Sequence, residues 1–171
     1  MPPGTRILCL GDSYTVGEAV EQDLTWPYVL TKALGLPRAA VHVVATTGWT
    51  TDELLAGIAR QEEAGLVSGS YDIVTLLIGV NNQVRGRSCE EYRLQFSELL
   101  DLAVRYAFLG KKGEEEKEKE KQDTHGHPPL PLPPPQVLVL SIPDWSCTPY
   151  AAAASASIRK VCECAVYVCV L

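Results

Sequence analysis

The sequence predicts an α/β fold in which helices cover a mostly parallel sheet. Three observations predict it. First, the apolar runs "RILCL" (6–10), "YDIVTLLIG" (71–79) and "QVLVLSI" (136–142) are rich in Val, Ile and Leu and do not alternate with polar residues. That is the pattern of strands covered on both faces. Second, helical stretches lie between the runs, which favours layers joined by right-handed crossovers. Third, each run ends in a Gly or Pro turn beside small polar groups.

The elements follow in chain order. "RILCL" is the first strand. "WPYVLTKALG" (26–35) is a helix stopped by a Gly and then a Pro. "VHVVAT" (41–46) is a shorter strand. "TTDELLAGIARQEEAG" (50–65) opens with Thr50 and Thr51 ahead of Asp52 and Glu53, a helix N-terminus, and closes on Gly65. The run 71–79 is the next strand. "SCEEYRLQFSELLDLAVRYAFLG" (88–110) is the strongest helix, with Leu94, Leu99, Leu102 and Tyr106 expected near one face. The run 136–142 is the last strand.

Residues 111–135, "KKGEEEKEKEKQDTHGHPPLPLPPP", join a charge run to a proline run that cannot build a core. They are expected as a disordered surface insertion in a single domain spanning 1–171, not as a domain boundary. Polyproline segments dock on SH3 or WW grooves, so 128–135 is a candidate contact of that kind. A tolerated loop expansion is the simpler expectation, because long surface loops cost little entropy.

Composition narrows the function. The chain has 171 residues, 46% of them hydrophobic, and a net charge of −6. Net negative charge argues against a nucleic-acid partner, which needs a basic patch. No apolar run reaches the ~18 residues of a membrane span. The start, "MPPGTRILCLG", lacks the apolar stretch of a secretory signal, so the expected location is cytoplasmic. Of six cysteines, Cys9, Cys89 and Cys147 are expected as buried thiols. Cys162, Cys164 and Cys169 offer three thiolates and no fourth ligand nearby, so no metal is expected.

The chemistry gathers at the strand ends, where open α/β sheets bind ligands. Gly11-Asp12-Ser13 follows the first strand, Thr46-Thr47-Gly48-Trp49 the second, Gly79-Val80-Asn81-Asn82 the third and Pro143-Asp144 the last. A hydroxyl, backbone N–H groups and an amide on one rim suit acyl transfer. A serine attacks a carbonyl, and the resulting oxyanion needs two or three donors. The N–H of Ser13, the N–H of Gly48 and the Asn81 side chain can supply them. Gly at 48 allows close backbone approach, and the Asn81 amide is a donor that does not ionise.

These blocks, in this order, resemble the SGNH hydrolase (GDSL esterase/lipase) family. "LCLGDSYTVGE", "TTGWTTDEL", "LLIGVNNQ" and "LSIPDWSCTPY" are each similar to family segments, together covering about residues 6–110 and 136–150. The resemblance implies a three-layer α/β/α fold with a flavodoxin-like, mostly parallel sheet. It implies Ser13 as nucleophile, and Ser13, Gly48 and Asn81 as oxyanion donors, supported by Asp12, Gly79 and Asn82. It implies cleavage of a small-molecule carboxylic ester through an acyl-serine intermediate, with no metal or organic cofactor.

The chain departs from the family twice. Asn82 stands where the third block usually carries Asp. The family's C-terminal D-x-x-H, source of the general base, has no counterpart, and the only histidines are His42, His125 and His127. His42 is expected at the strand end away from the site. His125 and His127 fall in the charged insertion, with Asp123 two residues before His125. Asp144 can reach the rim, but a carboxylate alone activates a serine hydroxyl poorly. The C-terminal part is therefore expected to be incomplete or altered relative to the family. The alternative reading is a catalytically inactive SGNH-like domain that binds without turnover or has no function. Trp26 and Trp49 are candidates for lining an apolar pocket, with ordinary packing the simpler expectation. Gly17 and Glu18 follow the turn at Ser13 and are expected to shape a helix start, and Arg85 and Arg87 to lie in a solvated loop.

Overall fold

The computed structural model describes residues 1, 4–108 and 136–143. Four parallel strands form one sheet: β1 (Ile7–Gly11), β2 (Val41–Ala45), β3 (Ile73–Leu77) and β4 (Gln136–Val139), in the spatial order β2-β1-β3-β4. Register is continuous: Ile7 lies opposite Val41 on one side and Ile73 on the other, and Ile73 opposite Gln136. All five residues of β1 and of β3 are buried, as their runs without polar alternation predict, and Thr75 is buried with the apolar residues around it.

Alternation along the strands feeds two cores. Leu8, Leu10, Val74, Leu76 and Val137 pack on one face. They meet Leu54 and Ile58 of α3 (Thr51–Glu63) and Leu99, Ala103 and Tyr106 of α5 (Cys89–Phe108). Ile7, Cys9 and Ile73 pack on the other face with Trp26 and Leu34, at the two ends of α2 (Trp26–Ala33). Each fully buried Leu or Ile contributes roughly 1.5–3 kcal/mol. The result is the expected α/β/α layering.

Two short helices complete the frame: α1 (Ser13–Val16) directly after β1, and α4 (Val80–Val84) directly after β3. From β1 the chain crosses to β2 on one side, and from β2 it returns past β1 to β3 on the other. That reversal makes the carboxyl ends of β1 and β3 the switch point of the sheet, the place where doubly wound sheets bind ligands.

The long helix corrects one expectation. Leu94 is 70% exposed, whereas Leu99, Ala103, Tyr106 and Ala107 are buried. Leu94 precedes Leu99 by five residues, which at 3.6 per turn places it well off that face. The insertion 111–135, with His125, His127 and the proline run, and Asp144, Cys147 and the Cys-rich tail all lie outside the described residues. No described helix is long and apolar enough to cross a membrane.

Candidate active site

The turn after β1 is built by its neighbours. Gly11 ends β1, and a Cβ there would lie 2.1 Å from Thr15 Oγ1 and 2.6 Å from the Leu77 carbonyl oxygen. Only a bare α-carbon lets α1 fold back this close to β3. Asp12 caps α1, its Oδ1 accepting the Tyr14 N–H at 3.0 Å. Ser13 is the first residue of α1, so its N–H has no acceptor within the helix, and its side chain is partly exposed. Gly17 ends α1 in a left-handed conformation, φ +77°, and the Glu18 carboxylate accepts a hydrogen bond from the Thr47 hydroxyl. Gly17 thus closes a helix instead of shaping the start of one, because α1 begins already at Ser13.

Gly48 lies in a turn closed by Trp49 N–H donating to the Thr46 carbonyl at 3.2 Å. Its φ of +84° belongs to the third residue of a type II turn, which glycine accepts without strain. The closing bond uses the N–H of Trp49 and not that of Gly48. At Thr50 the chain enters α3, and the Glu53 carboxylate accepts the Thr50 N–H at 2.9 Å.

Gly79 is held at φ +131°, and a Cβ there would come within 2.7 Å of Tyr92 Cε2 and 2.9 Å of Ile142 Cδ1. It leads into α4, which carries Asn81. The Asn81 Nδ2 donates to the Trp49 carbonyl at 2.8 Å and stands 3.5 Å from Asp12 Oδ2. One amide therefore touches a neighbour of Ser13 and a neighbour of Gly48. This brings the loops after β1, β2 and β3 together at the switch point.

Asn82 is buried at 3% exposure. Its Oδ1 accepts the Thr51 N–H at 3.0 Å, and its Nδ2 donates to Thr51 Oγ1 at 2.7 Å. The Thr51 hydroxyl in turn donates to Gln95. Asn82 thus ties α4 to the first turn of α3 with a neutral group that both donates and accepts. A carboxylate there would only accept.

Asp12 is the charged group at the centre. It is fully buried, and burial pushes its carboxyl up to about 6 from 3.8, against the pull of the Tyr14 N–H. A raised carboxyl pKa means the folded state holds the proton more tightly than the unfolded chain. Stability then falls as pH rises from about 4 to 6. At about 1.4 kcal/mol per pKa unit, ionised Asp12 costs roughly 3 kcal/mol above that window. Asp12→Asn keeps a capping acceptor and removes the cost. Its Tm, compared with that of the parent, should gain most at pH 7 and least at pH 4. An equal Tm difference at both pH values would contradict this account.

The other sequence candidates separate. His42, second residue of β2, bonds Gln61 Oε1 at 2.8 Å. It sits about 10 Å before the carboxyl end of its strand, away from the switch point as expected. Trp49 packs on α3, where a Cβ on Gly57 would lie 2.2 Å from its ring. Trp26 packs in the second core and donates its indole N–H to the Tyr14 carbonyl at 3.0 Å. Both take the packing role, and Trp26 also braces α1. Arg85 is exposed just past α4, as the solvated-loop expectation has it, but it is not unpartnered there: its Nη2 donates to the Gly48 carbonyl at 2.6 Å and its Nη1 lies 3.2 Å from both Glu53 oxygens. Arg87 likewise pairs with Glu91 at 3.0 Å and Asp52 at 3.6 Å. The signal for Arg85 was its spacing, four residues after Asn81 on one helix.

Comparison with known proteins agrees in kind. A family model described as GDSL-like lipase/acylhydrolase matches residues 9–165. Among solved structures, AlinE4, an SGNH-hydrolase family esterase, is 22% identical over 61% of this chain and 56% of its own, with a TM-score of 0.48. A member of the lipolytic G-D-S-L family from Veillonella parvula is 20% identical over 60% and 54%, with a TM-score of 0.49. The psychrotrophic esterase EstA from Pseudoalteromonas sp. is 16% identical over 94% and 73%, with a TM-score of 0.47. The chain thus spans little more than half the length of the first two. A search of curated proteins found no match.

Proposed function

Since the chain belongs to the GDSL-like lipase/acylhydrolase family, we propose that it hydrolyses small carboxylic esters at the switch point between β1 and β3. Ser13 Oγ attacks the ester carbonyl, the alcohol leaves, and water releases the acyl group from the serine. The Ser13 N–H, the Gly48 N–H and the second N–H of the Asn81 amide hold the oxyanion. Asp12, Gly79 and Asn82 set the frame in which these donors stand.

The observation that carries this reading is the Asn81 amide, held at 2.8 Å by the Trp49 carbonyl and 3.5 Å from Asp12. One hydrogen of the amide is held by the Trp49 carbonyl, and the other makes only a long 3.5 Å bond to Asp12 Oδ2, which a substrate oxyanion would replace. A general base completes the mechanism. His42, the one histidine among the described residues, is bonded to Gln61 at the far end of β2. His125 and His127, outside the described residues, are the histidines of this sequence left to test for the role, and the position of His42 equally favours a second reading, a domain that binds esters without turnover.

A fluorophosphonate probe decides between them, because it forms a covalent adduct only with an activated serine. The expected result is one adduct per chain, mapped to Ser13 by mass spectrometry, in a protein that also hydrolyses p-nitrophenyl acetate. An unlabelled chain without hydrolysis supports the binding reading.

A further inference from the structure

Arg85 stands one helical turn below Asn81, its N–H bonded to the Asn81 carbonyl at 2.9 Å. Residues four apart share a helix face, and here both reach the same loop. Asn81 Nδ2 donates to the Trp49 carbonyl at 2.8 Å, and Arg85 Nη2 to the Gly48 carbonyl at 2.6 Å. One face of α4 therefore grips two consecutive carbonyls of the segment that carries the Gly48 N–H.

The guanidinium is itself fixed. Its Nη1 lies 3.2 Å from both oxygens of Glu53, and Glu53 accepts the Thr50 N–H at 2.9 Å. Glu53 is thereby tied to the start of α3 and to Arg85 at once. Arginine suits this task because its planar fork serves an acid and a carbonyl together with fixed geometry. Lysine would place a single point of charge.

We propose that Arg85 is a positioning residue that sets the orientation of the Gly48 turn. It acts through the Gly48 peptide, and its bonds are to protein groups. Gly48 at φ +84° joins the peptide that carries its N–H to the one that carries its carbonyl, and the bond to that carbonyl, with Trp49 N–H closing on Thr46, limits rotation between the two. The inference rests on the reading that the Gly48 N–H faces the oxyanion, where even small misplacement of a donor slows reaction. Arg87 is the natural comparison. It lies two residues further on and pairs with Asp52 and Glu91, making no bond to the Gly48 turn.

The test reads the turn and the chemistry separately. Thr47–Gly48 is the one Thr–Gly pair in the chain. Carbonyl-13C threonine with 15N glycine therefore gives a single NMR correlation, that of the Gly48 amide. Arg85→Ala is expected to shift and broaden this peak. It should also lower kcat for p-nitrophenyl acetate about tenfold with KM within twofold of the parent. Arg85→Lys should recover part of the loss, and Arg87→Ala should change neither the peak nor kcat. An unmoved Gly48 peak in Arg85→Ala overturns the proposal. So does a moved peak with kcat unchanged in an active parent. If the parent and Ser13→Ala hydrolyse the ester equally, the esterase reading fails, and the Gly48 peak still decides whether Arg85 orients the turn.

Discussion

Ser13→Ala is expected to bring ester hydrolysis down to the buffer background, a fall of up to about a millionfold when the rest of the machinery is intact. The size follows from what is lost. Without Oγ no acyl-enzyme forms, and water alone must attack the ester. The oxyanion donors remain, so a small residual rate over buffer is the most that survives. The fold should hardly notice. The Ser13 side chain is only partly buried, and the α1 cap comes from Asp12. A surface-type substitution of this kind stays within about 0.5 kcal/mol. The measurement is initial-rate hydrolysis of p-nitrophenyl acetate beside a thermal melt of both proteins. Equal rates in a folded variant would remove Ser13 as nucleophile. In an active parent the histidines then locate the base. His42→Ala should leave kcat unchanged, because that ring faces Gln61 at the opposite strand end. His125→Ala or His127→Ala should reduce it.

Gly11→Ala is expected to be the most damaging small change to stability, at about 3 kcal/mol or more. The added Cβ would lie 2.1 Å from Thr15 Oγ1 and 2.6 Å from the Leu77 carbonyl oxygen. The first neighbour belongs to α1 and the second to the backbone of β3, and both are buried. A strand backbone cannot retreat without breaking its ladder, so the methyl must push α1, and with it Ser13, away from the switch point. Overpacking of this kind costs about 1–3 kcal/mol where side chains can yield, and more where backbone must. Urea denaturation measures it. Gly11→Ala with Thr15→Ala should be less destabilised than the sum of the two single variants, because the closest contact is gone. Strict additivity would mean that Thr15 is not what the methyl meets.

Much of the molecule was legible in the sequence because its signals are local. Ile7 to Leu10 and Ile73 to Leu77 read as doubly covered strands since they are apolar apart from the β-branched Thr75 and do not alternate with polar residues. The turn at Gly48 and the helix start at Thr50 declared themselves through residue types with fixed backbone preferences, whereas the short helix at Ser13 did not. The three blocks also sat at strand ends, so their convergence followed from a parallel sheet with crossovers. Leu94 shows the limit of such reading. Apolar character said core, but five residues is not a helical repeat, and the face was decided by where α5 meets β3.

The tertiary structure alone decided how the blocks hold one another. Nothing local to Asn81 says that its amide meets the Trp49 carbonyl, or that Asn82 closes on Thr51, because those partners are about 30 residues away in the chain. Arg85 is the sharpest case. As a residue type it promised a solvated charge, and only the packing of α4 against the start of α3 put a carbonyl and a carboxylate within its reach. Likewise Asp12 is an ordinary capping residue in the sequence. Burial between β1, α1 and Asn81 is what pushes its carboxyl up to about 6. Residue types and spacing determine which groups are offered and at which strand end. Long-range packing, by fixing distance and removing water, determines which of them act on each other.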